Sequence, residues 1–279
     1  MNVDVASVQF YPKLGQVQHN LQAMNDWVQT VMKAAPQTEL IVFPELANTG
    51  YECGEQFASL AESVQSGQSI AKMAACARQH QVMIVFGFAE REASNSDAIY
   101  NSAVLLGRQG EVLGVYRKVH LFDTEKRYFT AGSHYPVFQT PIGRIAIMIC
   151  WDAAFPEVAR SYALDVADII IIPTNWEKPY QDDWDLVTRA RAFDNTVYVV
   201  SANRIGAELT LDWFGHSNII DPLGRVLVAL NDEVEDFITA TLDLQWPKDL
   251  RASYYTFFED RRPDTYGRLV RPLGKPADE

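Results

Sequence analysis

The sequence predicts an α/β fold built on a mixed sheet, and three observations predict it. Short, strand-sized apolar runs recur along the whole chain. Helical stretches fall between several of them. The later strands come as close pairs around glycine-containing turns, which purely parallel units would not give.

The elements follow in order. Strands read at Asp4–Phe10 and Leu40–Phe43. Between them, Leu21, Met24, Val28 and Val31 recur at a three-to-four spacing and predict a helix over Asn20–Met32. A second helix, Ile70–His80, precedes a strand at Val82–Phe88. Strands Asn101–Gly107 and Val112–Arg117 flank the turn RQGE. The apolar run Ile145–Cys150 leads into a helix over Phe155–Leu164, and Asp168–Pro173 into a helix over Trp184–Asn195. Strand Val197–Ala202 follows. Ser217–Asp221 and Val226–Leu230 flank PLGR, a second hairpin, and Phe237–Asp243 closes the series. After Trp246 the chain is rich in Arg, Pro and aromatic residues, a composition that packs on a surface of its own subunit or a partner's. We read one domain over 1–246 and a packing tail over 247–279.

Composition narrows the function classes. The 279 residues are 48% hydrophobic and carry a net charge of -12. That charge speaks against sequence-independent nucleic-acid binding, which needs Lys and Arg at phosphates. It offers nothing to an anionic membrane surface. No apolar run approaches a membrane span. The start, MNVDVASVQF, shows no signal-peptide pattern. Three cysteines, Cys53, Cys76 and Cys150, form no close pair, as expected of reduced thiols in the cytoplasm. No C-x-x-C or H-x-x-x-H spacing occurs, so a zinc site is not expected, and the thiol chemistry that the resemblance given below implies needs no metal or organic cofactor.

Three segments end strands with chemistry-bearing residues: Glu45 in IVFPELANTGY, Lys118 in VYRKVHLFDTEKRYFTAG, and Cys150 in IMICWD. Ligands of α/β sheets gather beyond the carboxyl ends of strands. Each residue taken singly has a plain reading. A cysteine fills a core, a glutamate after proline is solvated, and a basic pair faces water. Together, a carboxylate, an amine and a thiol at strand ends make a constellation. His120 is the rival base, since Cys–His dyads are a common thiol design. His134 and His216 read as ordinary hydrogen-bonding residues.

The three segments resemble the nitrilase, or carbon–nitrogen hydrolase, superfamily, and within it the amidase-like branch. The match rests on Pro44-Glu45, Arg117-Lys118-Val119-His120 and Cys150-Trp151-Asp152, in the family's order. Supporting matches are AxVQF at Ala6–Phe10, YNSAVL at Tyr100–Leu105, EKRYFTAG at Glu125–Gly132, FPEVAR at Phe155–Arg160 and GHSNIIDPLGRVL at Gly215–Leu227.

The resemblance implies a four-layer α-β-β-α sandwich with two mixed β-sheets, paired through an outer helical layer into a homodimer or larger homo-oligomer. It implies Glu45 as general base, Lys118 as oxyanion stabiliser and Cys150 as nucleophile, with a thioester intermediate. It makes His120 supporting structure. Glu125, in FDTEKRYF, matches a second glutamate that positions substrate and lysine. Asp152 would support the turn after the nucleophile. Glu157 would be a buried anchor, paired with Arg160.

The chemistry suits the residue types. A thiol with a pKa near ~8.5 is only slightly ionised at neutral pH, so a nearby carboxylate must take its proton as it attacks. The Lys118 ammonium and the Trp151 N–H would hold the oxyanion. The turn at Trp151 would expose the sulfur.

The resemblance implies a substrate that is a small-molecule amide, an N-carbamoyl compound or a nitrile. Asp152 stands where true nitrilases carry Glu, and the loop Lys118–Phe129 is shorter than in carbamoylases. Both features tilt the reading to a small aliphatic or ω-amide. Tyr51, Phe129, Asn175 and Trp176 flank the motifs as pocket residues, each with packing as the competing role. Competing functions are a catalytically silent binding protein, a redox-sensing thiol protein, and an acyl transferase using the same residues.

Overall fold

The computed structural model describes residues 1–94 and 97–274. From the first half come β1 (Asn2–Gln9), β2 (Leu40–Val42), β3 (Met83–Arg91), β4 (Ile99–Leu106) and β5 (Val112–Arg117). Then follow β6 (Val137–Thr140), β7 (Gly143–Ile147), β8 (Ile169–Thr174), β9 (Tyr198–Asn203), β10 (Ile205–Ala207), β11 (Asp212–Phe214), β12 (Asn218–Ile220), β13 (Val226–Ala229) and β14 (Asp236–Asp243). One sheet runs β14-β1-β2-β3-β4-β5 and the other β13-β12-β9-β8-β7-β6, with β10 and β11 a separate pair. Both sheets are mixed: β1-β2-β3 and β7-β8-β9 pair in parallel, and the outer strands antiparallel.

Side-chain alternation sets the layers. On β1, Ala6 and Val8 join the cluster that includes Leu21, Met24, Val28 and Val31 of the helix Val17–Ala34. Val3 and Val5 point the other way, into a core shared with the second sheet. Strand β8 is buried on both faces, which is why Ile169–Ile172 reads as an unbroken apolar run. The helices Pro156–Leu164 and Gln181–Asn195 cover the second sheet through Val158, Ala159, Tyr162, Trp184 and Ala192. The layers therefore run helix, sheet, sheet, helix. Each fully buried Leu, Val or Met in them contributes about 1.5–3 kcal/mol.

Both expected hairpins form, β4 with β5 and β12 with β13. Strands β6, β10 and β11 went unread because runs of three or four residues carry too little alternation. Within the tail, Trp246–Ser253 is helical, with a proline in its first turn. Beyond it, Arg160 and Arg251 lie over the Phe258 ring, and Phe193 meets Tyr255 and Phe257.

Candidate active site

The C-terminal ends of β2, β5, β7 and β8 bring four segments to one place. The loop after β2 carries Glu45 and lies directly on β3. Gly87 N–H donates to the Pro44 carbonyl at 3.0 Å, and Ala47 N–H to the Gly87 carbonyl at 2.9 Å. A Cβ on Gly87 would sit 2.5 Å from the Glu45 Cα, so only glycine lets the loop approach so closely.

Lys118 follows β5 immediately. Its N–H donates to the Asn101 carbonyl and its carbonyl accepts from Gly132 N–H, both at 2.8 Å. The helical turn Glu125–Tyr128 lies between these clamps and turns Glu125 back onto the lysine.

The nucleophile segment corrects the expected strand Ile145–Cys150. Regular pairing ends at Ile147, and Met148 N–H still reaches the Ile171 carbonyl at 3.0 Å. At the next residue Asp152 intervenes. Its Oδ2 captures Ile149 N–H at 3.0 Å, and Asp152 N–H closes onto the Ile149 carbonyl at 3.0 Å. Cys150 thus opens a 3-10 turn, Cys150–Ala154, with φ +46°. A non-glycine residue held there costs about 1–3 kcal/mol, which the surrounding contacts must outweigh. Arg191 of the outer helix fastens the turn's far end, donating from Nε to the Ala153 carbonyl at 2.8 Å. The sulfur is not exposed as expected, since Cys150 is only 5% accessible.

Asp152 does more than hold this turn. Tyr116 donates to its Oδ2 at 2.7 Å, and the N–H and Nδ1 of His120 meet its Oδ1, each at 2.9 Å. The His120 ring stacks on Phe155 at 3.8 Å. His120 is thereby committed to Asp152, which ties the lysine loop to the cysteine turn.

Glu45, Lys118 and Glu125 form one buried cluster. Lys118 Nζ donates to Glu45 Oε1 at 2.8 Å and to Glu125 Oε1 at 2.7 Å. Asn101 Nδ2 donates to the same Glu45 oxygen at 2.7 Å. Glu45 Oε2 is buried and has no partner among the described residues. Tyr51 donates its hydroxyl to Glu125 Oε1 at 2.8 Å, and Phe122 N–H reaches Glu125 Oε2 at 3.1 Å.

The electrostatics follow from this burial. Burial pushes the Glu45 carboxyl up to about 7, and the opposing Lys118 charge does not undo it. Burial would lower the Lys118 ammonium, but Glu125 and Glu45 overturn that and hold it well above its usual range. The Cys150 thiol is driven well above its ordinary value, first by burial and then by the Glu45 charge. Lys118 and the Thr174 hydroxyl oppose that rise. The resting thiol is therefore neutral, and Glu45, whose charge acts on it, is the candidate to take its proton. Only ionised Glu45 can do so. For a reaction that uses it as base, kcat/KM should rise through about pH 7 and level off above. A flat profile over about pH 5 to 9 would remove Glu45 as the base.

The expected pocket residues divide. Tyr51 and Phe129 border a cavity that touches Glu125. Tyr51 is engaged through its hydroxyl, and Phe129 packs on Phe57 at 4.6 Å. Trp151 lies 5.8 Å from Trp176 and 5.0 Å from Phe122, making an aromatic wall backed by Trp184. Asn175 is 2% exposed, and neither its Oδ1 nor its Nδ2 has a partner among the described residues. Glu157 is corrected. It is exposed, because the buried face of its helix carries Val158, Ala159 and Tyr162. Arg160 instead donates to the Asp194 carbonyl at 2.6 Å.

Sequence reading missed Asn101, Thr174 and Arg191. A buried polar residue inside an apolar run was the available signal for the first two. Among the described residues, no group of His, Cys, Asp and Glu could hold a metal ion, and no helix is long and apolar enough to cross a membrane.

Comparison with known families adds to this geometry. The carbon–nitrogen hydrolase family matches residues 4–251. The chain belongs to that family. Among relatives of this carbon–nitrogen hydrolase, a probable nitrilase of Schizosaccharomyces pombe is 52% identical over 98% of this chain and 100% of its own. A 2-oxoglutaramate amidase of Bacillus subtilis is 32% identical over 95% of this chain and 100% of its own. A carbon–nitrogen hydrolase from Helicobacter pylori G27 superposes with a TM-score of 0.91 at 28% identity, over 97% of this chain and 99% of that one.

Proposed function

We propose that this carbon–nitrogen hydrolase is an amidase, converting a small aliphatic or ω-amide to a carboxylic acid and ammonia. One observation carries the reading: Glu45 Oε2 is buried without a partner among the described residues, while Oε1 is fixed by Lys118 and Asn101 and the carboxylate charge acts on the Cys150 thiol. Glu45 takes the Cys150 proton as sulfur attacks the carbonyl carbon. The oxyanion forms toward Lys118 Nζ and the Trp151 N–H, and each such donor is worth about 3–4 kcal/mol in the transition state. The C–N bond breaks as Glu45 gives its proton to the departing nitrogen. Water, deprotonated by Glu45, then cleaves the thioester, and the thiol recovers its proton as the acid leaves.

Glu125 favours an amide over a nitrile. A buried carboxylate at the pocket edge accepts N–H bonds, which an amide nitrogen offers and a nitrile lacks. The names of the relatives divide between nitrilase and amidase, so the second reading is a nitrilase or N-carbamoyl amidohydrolase using the same residues. Ammonia release from matched amides, N-carbamoyl compounds and nitriles of the same acids tests the choice. Release mainly from nitriles would replace the amidase reading.

The same proposal includes a cytoplasmic homodimer or larger homo-oligomer, with residues 247–279 as a tail packing on the 1–246 domain or on a partner subunit; of that tail, 275–279 lie outside the described residues. Leu186, Tyr254 and Leu269 each leave apolar surface exposed. A single-chain mass by light scattering would remove the dimer.

A further inference from the structure

Strands β10 and β11 pair outside both sheets, and none of the charged groups of the site sits on either. The loop between them is nonetheless tied to the loop that follows Glu45. Glu208 accepts Tyr51 N–H on both carboxylate oxygens, each at 3.1 Å, and Glu52 N–H on Oε2 at 2.7 Å. Glu52 answers from the other side, accepting Thr210 N–H at 2.9 Å and Leu211 N–H at 3.2 Å. The approach needs Gly50, whose φ is +81° and whose added Cβ would stand 2.7 Å from Glu208 Oε1.

Glu208 is itself held by a buried cation. Arg204 Nη1 donates to Glu208 Oε1, and the two side chains are 0% and 1% exposed. Arg204 Nη2 donates to the Pro12 carbonyl at 3.1 Å, and the guanidinium lies 4.0 Å over the Trp213 ring. Burying such a pair costs desolvation, so stability alone is a poor reason to keep it. What the pair fixes is one side chain. Tyr51 is gripped at its backbone by Glu208 and edge-on at its ring by Trp213, 5.9 Å away. Its hydroxyl then donates to Glu125 Oε1 at 2.8 Å.

That oxygen is shared. Lys118 Nζ donates to it at 2.7 Å and to Glu45 Oε1 at 2.8 Å. The lysine is balanced between two carboxylates, and the tyrosine hydroxyl meets part of the demand of one. Without the hydroxyl, Lys118 would be the one described donor left on Glu125 Oε1, and the ammonium would be drawn away from Glu45.

We propose that Glu208, locked by Arg204, is a positioning residue for the reaction: it holds Tyr51 on Glu125 and so keeps Lys118 shared between Glu125 and Glu45. Glu208 touches no reacting atom. The inference rests on the roles given above to Glu45, Lys118 and Glu125. A pair that only stabilised the β10–β11 hairpin would change the melting temperature and the active fraction, and nothing more.

The test is the pH profile of kcat/KM, on whichever amide, N-carbamoyl compound or nitrile the wild type turns over fastest. Taken well below the melting temperature, the midpoint of its rising limb does not depend on the folded fraction. Glu45 titrates facing Lys118, Glu125 and Cys150, and of these Lys118 is the group that favours its charged form. Tyr51→Phe should move the limb up by about half a pH unit and lower the plateau about tenfold. Glu208→Gln should move it the same way, and adding it to Tyr51→Phe should move it no further. A limb that stays put in either single variant, or that moves further in the double one, would overturn the inference. A nitrile as the fastest substrate would end the amidase reading and leave this test intact. If no compound is turned over, the crystal structure of Glu208→Gln decides. A Tyr51 hydroxyl displaced from Glu125 supports the inference, and one still bonded to it overturns the inference. Should that variant not fold with Arg204 unpaired, Arg204→Met combined with Glu208→Gln removes the buried charge as well and is read in the same way.

Discussion

Cys150→Ala should reduce ammonia release from every amide by about ten-thousandfold or more, with little change in thermal stability. In the proposed mechanism the thiol forms the thioester, and no other described residue bonded to Glu45 carries a sulfur to replace it. The other two cysteines are poorly placed to compensate. Burial pushes Cys53 up to about 12 and Cys76 up to about 11, and neither lies in the cluster. Ammonia release that survives Cys150→Ala would dispose of the thioester route.

Lys118→Met should damage both stability and activity. Removing one partner from a buried ionic cluster typically costs about 3–5 kcal/mol, and the loss of an oxyanion donor about a thousandfold in rate. Lys118 and Glu45 are wholly inaccessible to solvent, so water cannot take over the missing charge. The stability loss should depend on pH, and its sign is fixed. Glu45 already has a folded value of about 7, above its unfolded one near 4.5, so its protonated form favours the folded state. That contribution is complete below the unfolded value and is lost as pH rises through the folded one. Without Lys118 the folded value climbs further, and the decline deepens toward neutral and alkaline pH. Melting temperatures for both proteins, at about pH 5 and about pH 8, measure this. Equal losses at the two pH values would show that the lysine does not neutralise the carboxylates.

Much of the site was legible because its chemistry is carried by residue types at strand ends. Pro44-Glu45, Arg117-Lys118 and Cys150-Trp151-Asp152 could be read without knowing how the sheets pack. The same holds for Glu125, whose place beside Lys118 depends on a local loop of few residues. Asn101 was not assigned a role, because its contact to Glu45 joins β4 to the loop after β2. Arg191 was missed for a similar reason, since a helix arginine gives no sign that it caps a turn 38 residues earlier.

Local pattern by itself determined the α/β class, the four long helices, both hairpins and the candidate nucleophile, base and lysine. Periodicity and turn chemistry act over a few residues and stay visible in one dimension. Tertiary structure decided the rest. It returned β14 to pair with β1, and it stopped β7 at Ile147 because an Asp152 carboxylate captured the next amide. It left Glu157 in solvent and the Asn175 side-chain amide buried without a partner among the described residues. Each outcome depends on which groups compete for a hydrogen bond, or escape water, once distant segments meet. That competition is settled only when the two sheets close on one another.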